Sequence, residues 1–247
     1  MADLILGRNA VLEALKSGRN IDKINIQKTD GQYSGPVRQI IAQAKEKKIP
    51  VYYSDKAHMD KTPHHQGVIA VASDFEYCQV EDMLELARQR GEQPLLVILD
   101  GIEDPHNLGA IMRTAECAGA HGVIIPKRHS VSVNETVLKT SAGAAEYMPC
   151  ARVTNIARTI DELKEAGLWI YACDMGDGLI YDQDMTGPMA VVVGSEGFGI
   201  SRLVKEKCDF VVSIPMSGNI NSLNASNAAA IFIYEVVRQR RCSKKTF

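Results

Sequence analysis

From residue 93 onward, short apolar runs alternate with helical patterns. The runs are LLVILD (95–100), GVIIP (122–126), LWIYACD (168–174), MAVVVG (189–194) and FVVSIPM (210–216). Strands buried on both faces of a parallel sheet read as continuous apolar runs, and each parallel connection needs a crossover, usually a helix. The alternation therefore predicts an α/β domain whose mostly parallel sheet is covered on both faces.

The first 75 residues have a shorter pattern of their own. GRNAVLEALKSG predicts a helix closed by Gly18, DKINIQK a strand, VRQIIAQAKEKKI an amphipathic helix and VIAVAS a strand. Residues 76–92 are acidic and helical in their middle. We therefore expect a small α/β module at 1–75, a linker at 76–92 and the main domain at 93–247.

Composition excludes several classes of protein. The six Cys contain no CxxC pair, so neither a disulfide framework nor a metal site is predicted, and reduced core thiols fit the cytoplasm. No run approaches the roughly 18 apolar residues of a membrane span. Net charge is −2, yet the first 75 residues hold 11 basic and 8 acidic side chains. A sequence pI near 6.3 argues against a protein that binds long nucleic acid by electrostatic attraction alone.

Ligands of open parallel sheets bind beyond the carboxyl ends of the strands. The loop after LLVILD reads DGIEDPHNLGAIMRTAECAGA. Pro105 stiffens its turn, Asn107 is a candidate helix cap, and Gly109 allows another backbone to come close. Arg113 has two interpretations, either a solvated side chain or a group that faces an anionic or hydroxyl-bearing substrate beside Asn107.

The loop after MAVVVG reads SEGFGISRL. Gly194, Gly197 and Gly199 fall within six residues, which is typical of a backbone that a ligand approaches closely. The order is GxxGxG, so the GxGxxG fingerprint of dinucleotide-binding proteins is absent. Glu196 would repel a pyrophosphate but suits a hydroxyl, an amine or a cation.

The loop before the last helix reads SGNINSLNASNAAAI. One of Ser222, Asn224 and Ser226 is enough to cap that helix. The surplus of polar residues indicates either a loop that satisfies its own backbone or a surface facing a polar ligand. The run of Ala at 228–230 leaves little side chain between backbones, so the helix is expected to pack closely.

Taken together, DPHNLGAIMRTAECAGAHGVII, VVVGSEGFGISRL with FVVSIPM, and SLNASNAAAIFIYEV resemble the three motifs of the SpoU (TrmH-type) class of SPOUT RNA 2'-O-ribose methyltransferases. The resemblance covers residues 93–247. The front module resembles an L30e-type RNA-binding domain, including HQG at 65–67. The layout is most similar to members that methylate a guanosine ribose in the peptidyl-transferase loop of bacterial 23S ribosomal RNA. Ala225 and Asn227 depart from the Val that the family more often has.

The resemblance implies a trefoil knot in the C-terminal part of the main domain, against the general rarity of knots. It also implies S-adenosylmethionine as cofactor. By motif position, the cofactor pocket would include Gly194, Gly199, Ile214, Leu223 and Ser226.

The chemistry implied is activation and positioning of a ribose 2'-hydroxyl. The Arg matching Arg113 is often proposed as the base. Because a guanidinium with a pKa above about 12 does not readily deprotonate, orienting the ribose or stabilising an alkoxide are equal alternatives. The residues that would shape the site around it are Asn107, Glu196, Ser222 and Asn224.

The front module would select the RNA, and its candidate contacts are Arg8, Asn9, His65 and Gln66, each with a structural role as its alternative. Its modest charge favours recognition of shape and single-stranded loops. The basic tail RQRRCSKK is better explained as favourable charge at a helix end plus solvated residues. The family implies a homodimer, and the lack of a long apolar run predicts no membrane partner.

Three alternatives remain open. Ribosomal RNA is favoured as the substrate, and transfer RNA is the nearest competitor. A non-catalytic RNA-binding or ribosome-assembly protein and a dehydrogenase or phosphate-binding α/β enzyme are disfavoured. Binding of S-adenosylmethionine discriminates against both of the last two.

Overall fold

The computed structural model describes residues 3–17, 19–29, 33–72, 75–220 and 222–243. They form two compact units, Met1–Glu76 and Tyr77–Phe247. Gly18, proposed above to close a helix, and Lys244 and Lys245 of the basic tail lie outside the described residues. No described helix has the length and apolar character needed to cross a membrane.

The first unit is a four-stranded sheet with helices. Its elements are β1 (Asp3–Leu6), α1 (Arg8–Lys16), β2 (Ile21–Gln27), α2 (Gly35–Glu46), β3 (Val51–Ser54), α3 (Lys56–Met59) and β4 (Val68–Ala72). The strand order is β1-β4-β2-β3, with β4 antiparallel to both neighbours and β2 parallel to β3.

The core of this unit lies where α1 and α2 pack together and α1 covers the sheet. Val11, Leu15, Ile24, Ile40 and Val68 are buried there. The two predicted helices and two predicted strands are confirmed. The sequence pattern did not reveal β1, β3 and α3, because four residues are too few to establish a period.

The second unit contains a six-stranded sheet. Its elements are α4 (Val80–Arg90), β5 (Leu95–Asp100), α5 (Pro105–Cys117), β6 (Gly122–Pro126), α6 (Glu135–Thr140), β7 (Cys150–Val153), α7 (Ile156–Glu165), β8 (Trp169–Leu179), β9 (Met189–Gly194), α8 (Arg202–Lys207), β10 (Phe210–Ser213) and α9 (Ala225–Ser243). The strand order is β10-β8-β9-β5-β6-β7, and every pairing is parallel. The predicted α/β class with a mostly parallel sheet is confirmed.

Helices cover this sheet on both faces. Helices α4, α7 and α8 contribute Met83, Ile160 and Val204 to a core with Ile98 and Val192. On the other face α9 packs against α5, β8 and β9. The buried residues of α9 include 229, 232, 233 and 236, the spacing of one helical face.

The segment for which the sequence predicts a linker carries α4. Its first turn is fixed because the backbone N–H of Gln79 donates to the Asp82 carboxylate at 2.8 Å, and Gly91 ends the helix in the left-handed conformation. Met83 is fully buried, and a Cβ at Gly122 would clash with its side chain. The apolar face of α4 thus places this segment in the second unit.

No disulfide joins any of the six cysteines, but they are not all core residues as predicted. Cys150 is buried, Cys78, Cys173 and Cys208 are half-buried, and Cys117 and Cys242 are exposed at the ends of α5 and α9. Burial raises the pKa of both Cys173 and Cys208 to about 12, which keeps these thiols protonated at neutral pH.

Candidate active site

The three specified loops follow β5, β9 and β10, whose carboxyl ends share one edge of the parallel sheet. The first loop is closed by Asp104, whose side chain accepts a hydrogen bond from His106 N at 2.9 Å. Asp104 is therefore the cap of α5, and the interpretation of Asn107 as the cap is wrong. Pro105 occupies the first helical position, which places the cap at the residue before it.

Asn107 instead lies within the first turn of α5 and is buried. Its Nδ2 donates to Glu196 Oε1 of the second loop at 3.1 Å, and its Oδ1 accepts from Asn224 Nδ2 of the third loop at 2.9 Å. Asn224 Nδ2 also donates to Glu196 Oε1. The three loops are thus joined by one polar cluster of Asn107, Glu196 and Asn224.

Asn224 has a second role at the start of α9. Its Oδ1 accepts from the backbone N–H groups of Ser226 and Asn227 at 3.0 and 3.3 Å, and from Ser226 Oγ at 2.6 Å. Among the candidate caps, Asn224 therefore caps α9, and Ser226 is bound to that cap. Ser222 is exposed, and within the described residues no hydrogen bond engages its side chain.

The second loop makes a tight turn after β9. Ser195 and Gly199 exchange two backbone hydrogen bonds of 3.1 and 2.9 Å, while Gly197 and Gly199 have φ of 88° and 67°. A Cβ at Gly194 would clash with the backbone of Gly199 and Ile200. The glycine at 194 is required by packing within the chain, whereas the surroundings of Gly197 are open.

Large apolar side chains are exposed on the same loops. Phe198 is 95% exposed, Ile220 74% and Leu223 37%, while Ile214 is half-buried. Exposed apolar groups beside a polar cluster are typical of a surface that binds something. Phe198 and Ile220 did not emerge as candidates from the sequence, although an apolar residue inside a loop of Gly, Ser and Asn was the available signal.

Arg113 is not part of the polar cluster. It lies on the exposed side of α5, about 9 Å along the axis and about 120° around it from Asn107. Within the described residues its side chain has no hydrogen bond or ion pair. Within one copy of the chain, the Arg113 guanidinium is therefore unpaired and points away from Asn107.

The four candidate RNA contacts lie at one end of the first unit's sheet: Arg8 and Asn9 begin α1, and His65 and Gln66 lie in the loop before β4. Arg8 Nε donates to the carbonyl of Gln66 at 2.9 Å, and Arg8, Asn9 and Gln66 are exposed. His65 is 9% exposed; its Nδ1 accepts from Gly67 N at 2.8 Å, and its Nε2 lies 3.2 Å from Asp60 Oδ1.

This loop also has an unusual backbone. His64 and Gln66 have φ of 63° and 50°, values that side chains other than glycine rarely adopt. The buried side chain of His65 stabilises this strained loop from inside. We therefore interpret His65 as a residue that positions the loop and does not contact RNA directly. Arg8, Asn9 and Gln66 form the accessible part of the predicted RNA surface.

Two family profiles match the chain. The profile of the SpoU rRNA Methylase family matches residues 94–234, and that of the RNA 2'-O ribose methyltransferase substrate-binding domain matches residues 4–78. YacO of Bacillus subtilis, named as a TrmH-family tRNA/rRNA methyltransferase, is 46% identical over 241 residues, 96% of each chain. A TrmH-family relative from Staphylococcus haemolyticus is 47% identical over 241 residues, again 96% of each chain.

Solved structures are similar as well. The SpoU methyltransferase AviRb from Streptomyces viridochromogenes is 27% identical with a TM-score of 0.60, over 97% of this chain and 90% of that chain, and it has been solved with AdoMet. The TrmH/SpoU tRNA modifying enzyme of A. aeolicus is 29% identical with a TM-score of 0.57, over 66% of this chain and 85% of that chain.

Proposed function

Because the chain belongs to the SpoU rRNA methylase family of S-adenosylmethionine-dependent RNA methyltransferases, we propose that it methylates the 2'-hydroxyl of a guanosine ribose in 23S ribosomal RNA. The observation that carries the proposal is the cluster of Asn107, Glu196 and Asn224, which joins all three loops at the carboxyl edge of the sheet. The convergence of three loops on one polar cluster favours a catalytic protein over one that only binds RNA.

The loop residues fit the cofactor. Within 214–220 and 222–223, the described backbone groups make no hydrogen bonds to other backbone groups. Their N–H and C=O groups can therefore form hydrogen bonds with the polar edge of an adenine, while the side chains of Ile214 and Leu223 can make apolar contacts with it. Gly194, Gly199 and Ser226 would complete the pocket. When bound, the sulfonium supplies an already activated methyl group.

The chain must then orient the ribose and ease loss of the hydroxyl proton. Positioning in a dry site contributes up to roughly 7–11 kcal/mol in ideal cases. Glu196 accepts hydrogen bonds from both Asn107 and Asn224, which fixes its carboxylate at the mouth of the site. Ser222 is exposed next to this cluster in the chain and is free to donate to substrate.

We assign Arg113 to a second copy of the chain. Arg113 faces away from the cluster of its own chain, so a homodimer in which each copy supplies Arg113 to the other's site would bring the guanidinium to the reaction. There it would orient the ribose or stabilise the developing alkoxide. The exposed Phe198 and Ile220 beside the cluster are the kind of apolar surface that such an interface covers.

Arg113→Ala tests this role. We expect methyl transfer to fall by more than tenfold with the affinity for S-adenosylmethionine unchanged, whereas Arg90→Ala, which removes another exposed and unpaired Arg, leaves both unchanged. A smaller loss in Arg113→Ala would contradict a catalytic role.

A mixing experiment tests the shared site. Arg113→Ala and Glu196→Gln are each expected to be inactive, and refolding them together gives heterodimers with one intact site. Activity should return to about a quarter of the wild-type value, since half the dimers carry one working site of two. No recovery would mean that Arg113 acts within its own chain.

The substrate is tested by mapping 2'-O-methylated positions in ribosomal and transfer RNA from cells with and without the protein. We expect one guanosine of 23S ribosomal RNA to lose its methyl group when the protein is absent. The match of the first unit to a substrate-binding profile, and of residues 94–234 to the SpoU rRNA Methylase profile, supports ribosomal RNA as the target. A lost site in transfer RNA would make that RNA the substrate, and absence of S-adenosylmethionine binding would remove the catalytic proposal.

A further inference from the structure

We propose that the loop 127–130, which follows β6, binds a phosphate group of the substrate RNA beside the reaction site through Arg128 and His129. The proposal rests on the proposed function. The sequence of the loop is KRHS, and none of the three motifs includes it.

The loop lies next to the polar cluster. Ser130 Oγ donates to the carbonyl of Ile102 at 3.2 Å, and Val131 N donates to the same carbonyl at 2.9 Å. A Cβ added to Gly101 would lie 3.9 Å from the His129 carbonyl oxygen and 3.5 Å from Ser195 Cβ. Gly101 in the loop after β5 therefore lies close to both His129 and Ser195, the residue before Glu196.

The loop is also fixed at both ends. Lys127 N donates to the Val153 carbonyl at 2.8 Å, and Val133 N donates to the hydroxyl of Tyr77 at 2.8 Å. Between them His129 has a φ of 54°, a left-handed value that glycine adopts freely and other residues adopt with strain. A strained residue held by its surroundings is typical of a site that positions a side chain for function.

Arg128 and His129 are the two exposed side chains of the loop. Arg128 and His129 have no hydrogen bond or ion pair with any described residue. Most other cations of this unit are engaged, for example Arg158 with Glu162, Lys164 with Asp209 and Lys207 with Asp161. A rigid loop that presents an unpaired guanidinium suits phosphate, because the planar fork donates to two phosphate oxygens at once.

Such a phosphate contact would fix the position of the RNA strand on the protein without recognising its base sequence. The ribose that receives the methyl group is flanked by phosphates, so a cation close to the cluster can hold the target nucleotide in place. Arg128 is the phosphate-binding group in this assignment, and His129 supplies a second donor next to it.

The test compares Arg128→Ala with Arg90→Ala, which removes an exposed, unpaired Arg at the end of α4, before the amino end of β5. The probe is a fluorescein-labelled transcript of the 23S ribosomal RNA peptidyl-transferase region, titrated between about 50 and 200 mM salt. Arg128→Ala should weaken binding roughly fivefold near 0.1 M salt and lower the salt slope by about 0.7. Arg90→Ala should change neither, and both should bind S-adenosylmethionine like the wild type.

His129→Gly distinguishes loss of an RNA contact from loss of protein stability. Glycine relieves the strained backbone, so the melting temperature should stay level or rise while RNA affinity falls. Wild-type affinity and salt slope in both Arg128→Ala and His129→Gly, in a protein that methylates RNA, would overturn this inference alone. A wild-type protein that neither binds nor methylates RNA would remove the proposed function and this inference with it.

Discussion

Substitutions of Asn224 separate its two roles. Its Oδ1 caps α9 through Ser226 and Asn227, and its Nδ2 bridges Asn107 and Glu196. Asn224→Ser keeps a cap and loses the bridge. Asn224→Asp keeps a cap but sets a carboxylate against that of Glu196, and Asn224→Ala removes both functions.

Each role has an expected magnitude. Loss of an N-cap costs about 1 kcal/mol. Hydrogen bonds to a charged group contribute about 1.5–3 kcal/mol, which we reduce to about 1 because Glu196 is exposed. Two unit charges about 4 Å apart in water repel by about 1 kcal/mol. We therefore expect losses of about 1 kcal/mol for Asn224→Ser and about 2 for both Asn224→Asp and Asn224→Ala.

Thermal unfolding measures these losses, since 1 kcal/mol shifts the melting temperature of a domain this size by about 2–4 °C. The salt dependence of stability distinguishes the two less stable variants, Asn224→Asp and Asn224→Ala. In about 1 M salt the Debye length falls to about 3 Å, so the stability of Asn224→Asp should rise toward that of Asn224→Ser, while that of Asn224→Ala should not. Asn227→Ala, an exposed neighbour on α9, is the control and should stay within about 0.5 kcal/mol. Equal stability of the Asp and Ser variants at low salt would refute the bridge to Glu196.

Two further substitutions test the frame around the site. Gly194→Ala should destabilise the second unit by about 1–3 kcal/mol in chemical denaturation, since its Cβ meets the backbone of Gly199, whereas Gly187→Ala has open space and should change little. Burial lowers the pKa of His121, so below about pH 6.5 the unfolded chain binds a proton that the folded chain does not. Stability should fall as pH drops from about 7 to 5.5, and His121→Asn should reduce that pH dependence. An equally steep dependence in the variant would contradict the assignment of the effect to His121.

The frame of the fold could be predicted from the sequence because buried parallel strands are long apolar runs. Four-residue strands such as β3 and β7 carry too little pattern, and they depend on pairing with neighbours already in place. The trefoil knot came from the resemblance and stays a prediction, since no local pattern encodes the threading of a chain.

The site was predicted in part. Parallel topology explains why residues 107, 196 and 224 could be expected at one edge, but which atoms meet depends on the turn geometry of each loop. Asn107 illustrates this, because Asp104 before Pro105 takes the cap and leaves the amide free to bridge. His65 illustrates the limit, because a sequence cannot tell an exposed ring from one buried against Asp60.

The choice of Asn at 224 follows from the two demands on it. Ser and Asp cap helices as well as Asn does, but only an amide accepts at one atom and donates at the adjacent one. At 224 the accepting atom serves α9 and the donating atom reaches Asn107 and Glu196. One residue thereby couples the start of α9 to the ends of β5 and β9. Among the described polar residues of the loop, Ser217, Asn219 and Ser222 are exposed and are not needed for capping, so their side chains remain available to a ligand.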